Sequence, residues 1–188
     1  MLKTAYIGLG SNLGESLRIL PESWQALGRQ PGIVPGPLSS PYLSEPVGMV
    51  SSNWFINAAG LVRTSLPPLE LLACLLHLEK GFGRLRGRGE QGYQDRTLDL
   101  DLLFYDDLVL ADQHLVLPHP ALHHRLFVLL PLAEIAPDLR HPSLGKTVRE
   151  LLQSQLAEPD SHACLKTAWL AAAAGRSYPG KAPDRTSN

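Results

Sequence analysis

The chain has 188 residues, 44% of them hydrophobic, with 17 Lys and Arg against 18 Asp and Glu for a formal net charge of −1. This length predicts one domain with a core large enough to exclude global disorder, and the missing positive field argues against sequence-independent binding to nucleic acid or anionic membrane. Only Cys74 and Cys164 are present, which excludes a disulfide framework or a cysteine-based zinc site, and with no window near the roughly 20 apolar residues of a membrane span the expected setting is a reducing cytoplasm.

Thr4 to Leu9 reads as a buried strand, followed by the turn residues Gly10-Ser11-Asn12-Leu13-Gly14 and by a helix from Glu15 to Gln30 that Pro21 interrupts or restarts. Pro31 to Pro37 reads as a turn, and Leu38 to Leu43 as an extended edge segment containing Pro41. Asn53 to Thr64 is β-branched and aromatic enough for a strand. Pro68 suits the first position of a helix running to about Lys80, whose Leu69, Leu72, Leu75, Leu76 and Leu78 predict a core-facing stripe.

Gly81 to Asp95 holds five Gly without apolar periodicity and is expected to be a long mobile loop. Leu98 to Tyr105 predicts a strand, turning at Asp106-Asp107 into a hairpin with Leu108 to Leu110. Leu126 to Ala136 predicts a helix with Pro131 in its path, and Thr147-Val-Arg-Glu150 is a capping-box pattern opening a last helix. The domain is expected to end near Leu152, with residues 153–188 a loosely ordered appendage holding a short helix around Trp169 to Ala174. The order of elements predicts an α+β domain with helices covering one face of an antiparallel sheet.

The densest chemical signal is Arg96-Thr97-Leu98-Asp99-Leu100-Asp101-Leu102-Leu103. A strand's period of two sends Leu98, Leu100 and Leu102 one way and Asp99 and Asp101 the other. Two carboxylates on one face repel each other, and a hard cation such as Mg²⁺ relieves that cost while positioning phosphate. In isolation the pattern reads more readily as a solvent-facing strand edge. The charge order favours the metal: four Arg lie between positions 84 and 96 against Glu90 and Asp95, and five Asp lie between Leu98 and Asp112 without a Lys or Arg. Carboxylate-held metal beside guanidinium groups suits a polyphosphate. His119, pinned between Pro118 and Pro120, fits a phosphate or metal-water contact or a turn cap. Phe55-Ile56-Asn57 sets an aromatic ring and an amide on one side of a strand, suited to a flat heterocycle or to core packing.

Three blocks, Tyr6-Ile-Gly-Leu-Gly-Ser-Asn-Leu-Gly14, Arg96-Thr-Leu-Asp-Leu-Asp-Leu-Leu103, and Leu117-Pro-His-Pro120 with Arg125-Leu-Phe127 and Pro131-Leu-Ala-Glu-Ile-Ala-Pro137, resemble the hydroxymethyl-dihydropterin pyrophosphokinase family of the folate pathway over roughly residues 1–152. The resemblance implies a ferredoxin-like fold, with two Mg²⁺ and ATP, and transfer of pyrophosphate from ATP to the pterin alcohol, releasing AMP. It implies that Asp99 and Asp101 hold both metals, that Asn57 bonds the pterin, that Phe55 and Phe127 sandwich it, and that backbone groups of Ser44 and Val47 complete that pocket. Arg84 and Arg96 would act on the phosphates, assisted by Arg86; His119 and Arg125 would hold ATP phosphates; Glu79 and Leu102 would lie near the nucleotide. Tyr93-Gln94-Asp95 departs from the family's common Trp-Gly-Pro. Small-molecule substrates and a cytoplasmic monomer are expected, with neither nucleic acid nor membrane as partner. The alternative, a non-catalytic RNA-binding ferredoxin-like module, is opposed by 6% aromatic residues and the acidic strand.

Overall fold

The computed structural model describes residues 1–84, 94–158 and 162–169. Alternation along the strands builds its centre. In β1 (Lys3–Ser11), Ala5, Ile7 and Leu9 join one apolar cluster, while Tyr6 joins a second on the opposite face. β1 pairs antiparallel with β4 (Phe55–Thr64) on one side and with β5 (Asp99–Tyr105) on the other. β4 also pairs with β2 (Ile33–Leu38) and β3 (Tyr42–Ser44), and β3 pairs with β8 (Cys164–Lys166). The six-stranded sheet runs β5-β1-β4-β3-β8, with β2 also on β4. It is the α+β antiparallel arrangement predicted.

Helices lie on both faces rather than the expected one. α1 (Ser16–Gly28) and α2 (Pro68–Gly81) bury Leu20, Leu27, Leu71 and Leu75 against Ile7 and Leu100. α3 (Leu126–Ile135) and α4 (Val148–Leu156) bury Leu129, Leu132, Val148 and Leu151 against Tyr6, Ala59 and Leu103. The strands are apolar on both sides, so one layer of helices would leave a large hydrophobic face in water.

Other local expectations change for tertiary reasons. Residues 33–38 are strand despite Pro35 and Pro37, because β2 pairs only with β4 and an edge tolerates a missing donor. Pro21 and Pro131 lie inside continuous helices; the buried apolar faces outweigh one lost backbone bond in each. In α2 the buried set is Leu71, Leu75, Leu78 and Glu79, while Leu69 is exposed. Leu110–Ala111 (β6) pairs with Val116–Leu117 (β7) and not with β5, whose partner is β1. The capping box forms, Thr147 Oγ1 accepting from Glu150 N and Glu150 Oε2 accepting from Thr147 N. The last helix extends to Leu156, and β8 follows within the stretch expected to be an appendage. Most of the predicted loop, 85–93, and residues 170–174 of the short helix expected around Trp169 to Ala174 lie outside the described residues.

Candidate active site

One end of the sheet is left uncovered by α3, and its floor is set by two glycines. Gly10 is flanked in register by Asn57 of β4 and Asp99 of β5, and Gly8 by Ala59 and Asp101. A Cβ on Gly10 would stand 3.3 Å from Asn57 Oδ1, closer than most such contacts, and 3.7 Å from Asp99 Cβ, an ordinary contact. The glycines of this first block therefore lower the floor between an amide and two carboxylates. Above it lies a cavity of about 620 Å³, mouth included, lined by Ser44, Val47, Phe55, Asn57, Arg96, Asp99, Asp101, Arg125 and Phe127, all predicted site residues. Glu45, Met49 and Leu103 also line it and were not anticipated.

Aromatic and amide groups occupy one side. Phe55 is buried, with the Arg96 guanidinium carbon 5.4 Å from its ring centre; Phe127 lies at the start of α3 with the Arg125 carbon 5.6 Å from its ring centre. Asn57 Nδ2 donates to Ser44 Oγ at 2.9 Å, which fixes the orientation of the buried carboxamide.

Charged groups occupy the other side. Arg84 Nη1 donates to Glu79 Oε1 at 2.5 Å and also to Asp99 Oδ1, while Arg96 Nη2 lies 2.8 Å from Asp99 Oδ2. Glu79, 1% exposed, additionally accepts from Leu100 N at 2.8 Å, so it locks the end of α2 to β5. Asp99 is therefore bracketed by two guanidinium groups. Asp101 is not: burial first, and then the Asp99 charge, push its carboxyl well above the ordinary carboxylate range, against the opposing pull of Arg96 and Arg125.

Such a carboxylate pair calls for positive charge. Among the described residues no group of three or more His, Cys, Asp or Glu is placed to hold a metal ion, so a cage made of protein alone is absent. The two acids nevertheless fit Mg²⁺, which commonly takes one or two carboxylates and completes its shell with water and substrate phosphates.

The remaining described residues predicted for the site, Leu102 and His119, do not line the cavity. Leu102 is buried in the core on the face away from the two acids; by alternation its backbone N–H points, like that of Leu100, away from β1 toward the open edge of the sheet. His119 reaches β5 through a bulge: the register shifts between Tyr6 and Ile7, and His119 N donates to the carbonyl of Leu103 at 2.9 Å. Burial, and then Arg125, hold its imidazole below the ordinary value. Arg86 lies outside the described residues.

A second network went unread in the sequence. Asn12 Nδ2 donates to Asp95 Oδ1 at 2.6 Å, Asn53 Nδ2 donates to Asp95 Oδ2 at 2.8 Å, and Arg96 N donates to Asn12 Oδ1 at 2.7 Å. Asp95, part of the departure from the family pattern, thus ties the end of β1 and the loop before β4 to the segment that carries Arg96. Burial would raise its carboxyl, but hydrogen bonds from Ser51, Asn12 and Asn53 outweigh it and hold the group below its usual value. The asparagine within Gly-Ser-Asn-Leu-Gly was the available signal, and it reads locally as a turn residue.

Residues 6–137 match the family model described as 7,8-dihydro-6-hydroxymethylpterin-pyrophosphokinase (HPPK). The 2-amino-4-hydroxy-6-hydroxymethyldihydropteridine pyrophosphokinase of Methylorubrum extorquens is 43% identical over 148 residues, covering 79% of this chain and 90% of that one. Its counterpart from Synechocystis sp. is 43% identical over 149 residues, covering 79% and 74%. The Pseudomonas aeruginosa counterpart is 38% identical over 152 residues, covering 81% and 91%. Among solved structures, Plasmodium falciparum HPPK-DHPS with pteroate is similar at a TM-score of 0.64 and 16% identity, over 82% of this chain and 42% of that one. This chain spans less than half of that longer protein, and the likeness concerns the fold.

Proposed function

The chain belongs to the 7,8-dihydro-6-hydroxymethylpterin-pyrophosphokinase family, and from that membership we propose how its cavity performs the reaction. The protein is an ATP-dependent pyrophosphokinase of folate biosynthesis: pyrophosphate passes from ATP to 6-hydroxymethyl-7,8-dihydropterin, giving the pterin diphosphate and AMP. The pterin lies between Phe55 and Phe127, its ring edge read by the Asn57 carboxamide and by backbone groups of Ser44 and Val47. The triphosphate lies over Asp99 and Asp101, with His119 and Arg125 on its oxygens and Glu79 and Leu102 near the nucleotide. We assign the pyrophosphokinase domain to residues 1–152, which hold every residue named.

The observation that carries this reading is the single cavity in which an aromatic and amide half meets a carboxylate and guanidinium half. Two Mg²⁺ held by Asp99 and Asp101 would neutralise phosphate charge and favour the ionised pterin hydroxyl. The protein's own part is positioning and charge. Arg84 and Arg96, which now neutralise Asp99, are the groups assigned to the transferring phosphoryl oxygens, and a cation on Asp99 would release them for that task. Arg86 would join them. No side chain has to act as nucleophile, because the attacking oxygen belongs to the substrate.

The test is AMP release from ATP with and without hydroxymethyl-dihydropterin. Release should depend on the pterin, stop on chelation and return with Mg²⁺; pterin-independent AMP, or activity undiminished by chelator, would overturn the assignment. The RNA-binding alternative finds no support in the family. Among the described residues no helix is long and apolar enough to cross a membrane, and the near-neutral charge suits small-molecule substrates; we assign the protein to the cytoplasm as a monomer.

A further inference from the structure

Past the family-matched residues 6–137 the chain returns to the sheet. Lys166 pairs with Tyr42, Leu165 with Leu43, and Cys164 with Ser44. Backbone bonds continue the pairing at both ends: Thr167 N donates to the carbonyl of Pro41 at 2.9 Å, and Glu45 N donates to the carbonyl of Ala163 at 3.3 Å. Trp169 Nε1 donates to the carbonyl of Ser39 at 3.0 Å. Strand β8 thereby covers the free edge of β3.

That edge adjoins the aromatic half of the cavity. Ser44 holds the Asn57 carboxamide, and Glu45 opens the loop whose Val47 and Met49 line the cavity. The facing wall comes from α3, which carries Phe127 near its start and Glu134 near its end. Glu134 Oε1 accepts from Ser40 N at 3.0 Å and from Ser40 Oγ at 2.9 Å. Its Oε2 accepts from Tyr42 Oη at 2.9 Å and faces Lys166 Nζ at 3.1 Å. One carboxylate therefore joins α3, the turn before β3, β3 itself and β8. These are the elements that set Phe127 against Phe55 and Asn57.

We propose that Glu134 and strand β8 form a clamp that sets the spacing of the pterin slot, so that Glu134 is a positioning residue and residues 162–169 a working part of the substrate site. The inference rests on assigning the pterin to the cavity between Phe55 and Phe127. Stacking on both faces of a flat ring tolerates little slack, and misplacement by a fraction of an ångström is felt in binding. Four donors on one acceptor hold the wall in a single place, each bond strengthened by the carboxylate charge.

The full-length protein is tested as Glu134→Gln, Lys166→Met and Tyr42→Phe, with Asn57→Ala alongside. Steady-state constants are read for both substrates, and the Kd of 6-hydroxymethylpterin is read by its fluorescence with Mg²⁺ and a non-hydrolysable ATP mimic. Glu134→Gln should raise the pterin KM and Kd roughly tenfold, the equivalent of one hydrogen bond to a charged group, and Lys166→Met, which removes a more exposed ion pair, roughly threefold. kcat at saturating pterin and the KM for ATP should move less than about twofold, and Tyr42→Phe should give a smaller rise in the same direction. Unchanged pterin binding in Glu134→Gln and Lys166→Met, with binding lost in Asn57→Ala, would overturn the clamp alone. Unchanged binding in all of them would overturn the placement of the pterin itself, and equal losses for ATP and pterin would mark general loosening and overturn the clamp. Should Glu134→Gln fail to fold, Lys166→Met decides, since the Lys166 side chain is 57% exposed and its removal disturbs no core.

Discussion

At Asp101 burial and the neighbouring Asp99 disfavour the ionised carboxylate. A side chain selected for stability would not be a carboxylate there, whereas one that receives a cation would be. Asp101→Asn keeps the shape and removes the charge. AMP formation should fall by about a hundredfold or more, while the apo thermal midpoint stays level or rises; a lowered midpoint with full activity would contradict the role. Mg²⁺ with an ATP mimic should raise the midpoint of the wild type more than that of the variant, because ligand that binds only the folded state stabilises it. Arg84 poses a different case, since it touches both Glu79 and Asp99. Arg84→Ala should lower kcat far more than it weakens ATP binding, as a contact strongest in the transition state does; parallel losses would make it a simple binding residue. The glycines of β1 act by omission: at position 10 any Cβ would crowd the Asn57 amide and the floor beneath the substrate.

At the level of elements, β2, β3 and β8 are held by partner strands distant in sequence. α4 differs, since its reciprocal Thr147 and Glu150 bonds are readable from four consecutive residues. Thr147→Ala should cost about 1 kcal/mol in chemical denaturation and leave kcat unchanged, because α4 contributes nothing to the main cavity; a kinetic effect would imply that α4 supports α3 during turnover. β5 shows the opposite dependence. Its bulge at Leu103 matters because His119 N finds the freed carbonyl, and no pattern within residues 99–105 announces that partner. β2 is similar: two prolines argue for a turn until β4 supplies a neighbour on one side only.

Over the whole molecule, the layer of α3 and α4 seals the apolar half of one sheet face and leaves the glycine-floored half open, which is why the cavity exists. The sealed half contains an edge-on run of rings, Tyr6 to Phe104 at 6.2 Å, Phe104 to His141 at 5.6 Å and His141 to His123 at 6.0 Å. Burial first, and then His123, hold His141 below the ordinary imidazole value; burial, and then His124, do the same to His123. The unfolded chain therefore binds more protons than the fold as pH falls below about 6.5, so stability should decline on acidification with a slope of at most roughly 1.4 kcal/mol per unit for each imidazole. Urea midpoints at pH 7.5 and 5.5 should differ less in His141→Gln than in the wild type; an equal difference would remove these imidazoles from the account. Much of this architecture was readable from short-range pattern alone: β1, β4, β5, the two long early helices, the capping box and the shared face of Asp99 and Asp101 all follow from periods of 2 and 3.6 and from turn chemistry within a few residues. The placement of α3 and α4 on a second face, β2, the pairing of β6 with β7, β8, and the bridges from Asp95 to Asn12 and Asn53 across 83 and 42 residues came only with the assembled fold. Their physical cause is common to all: hydrogen-bond donors and apolar faces are satisfied by whichever partner the packing brings near, and nothing in the local chain carries the identity of that partner.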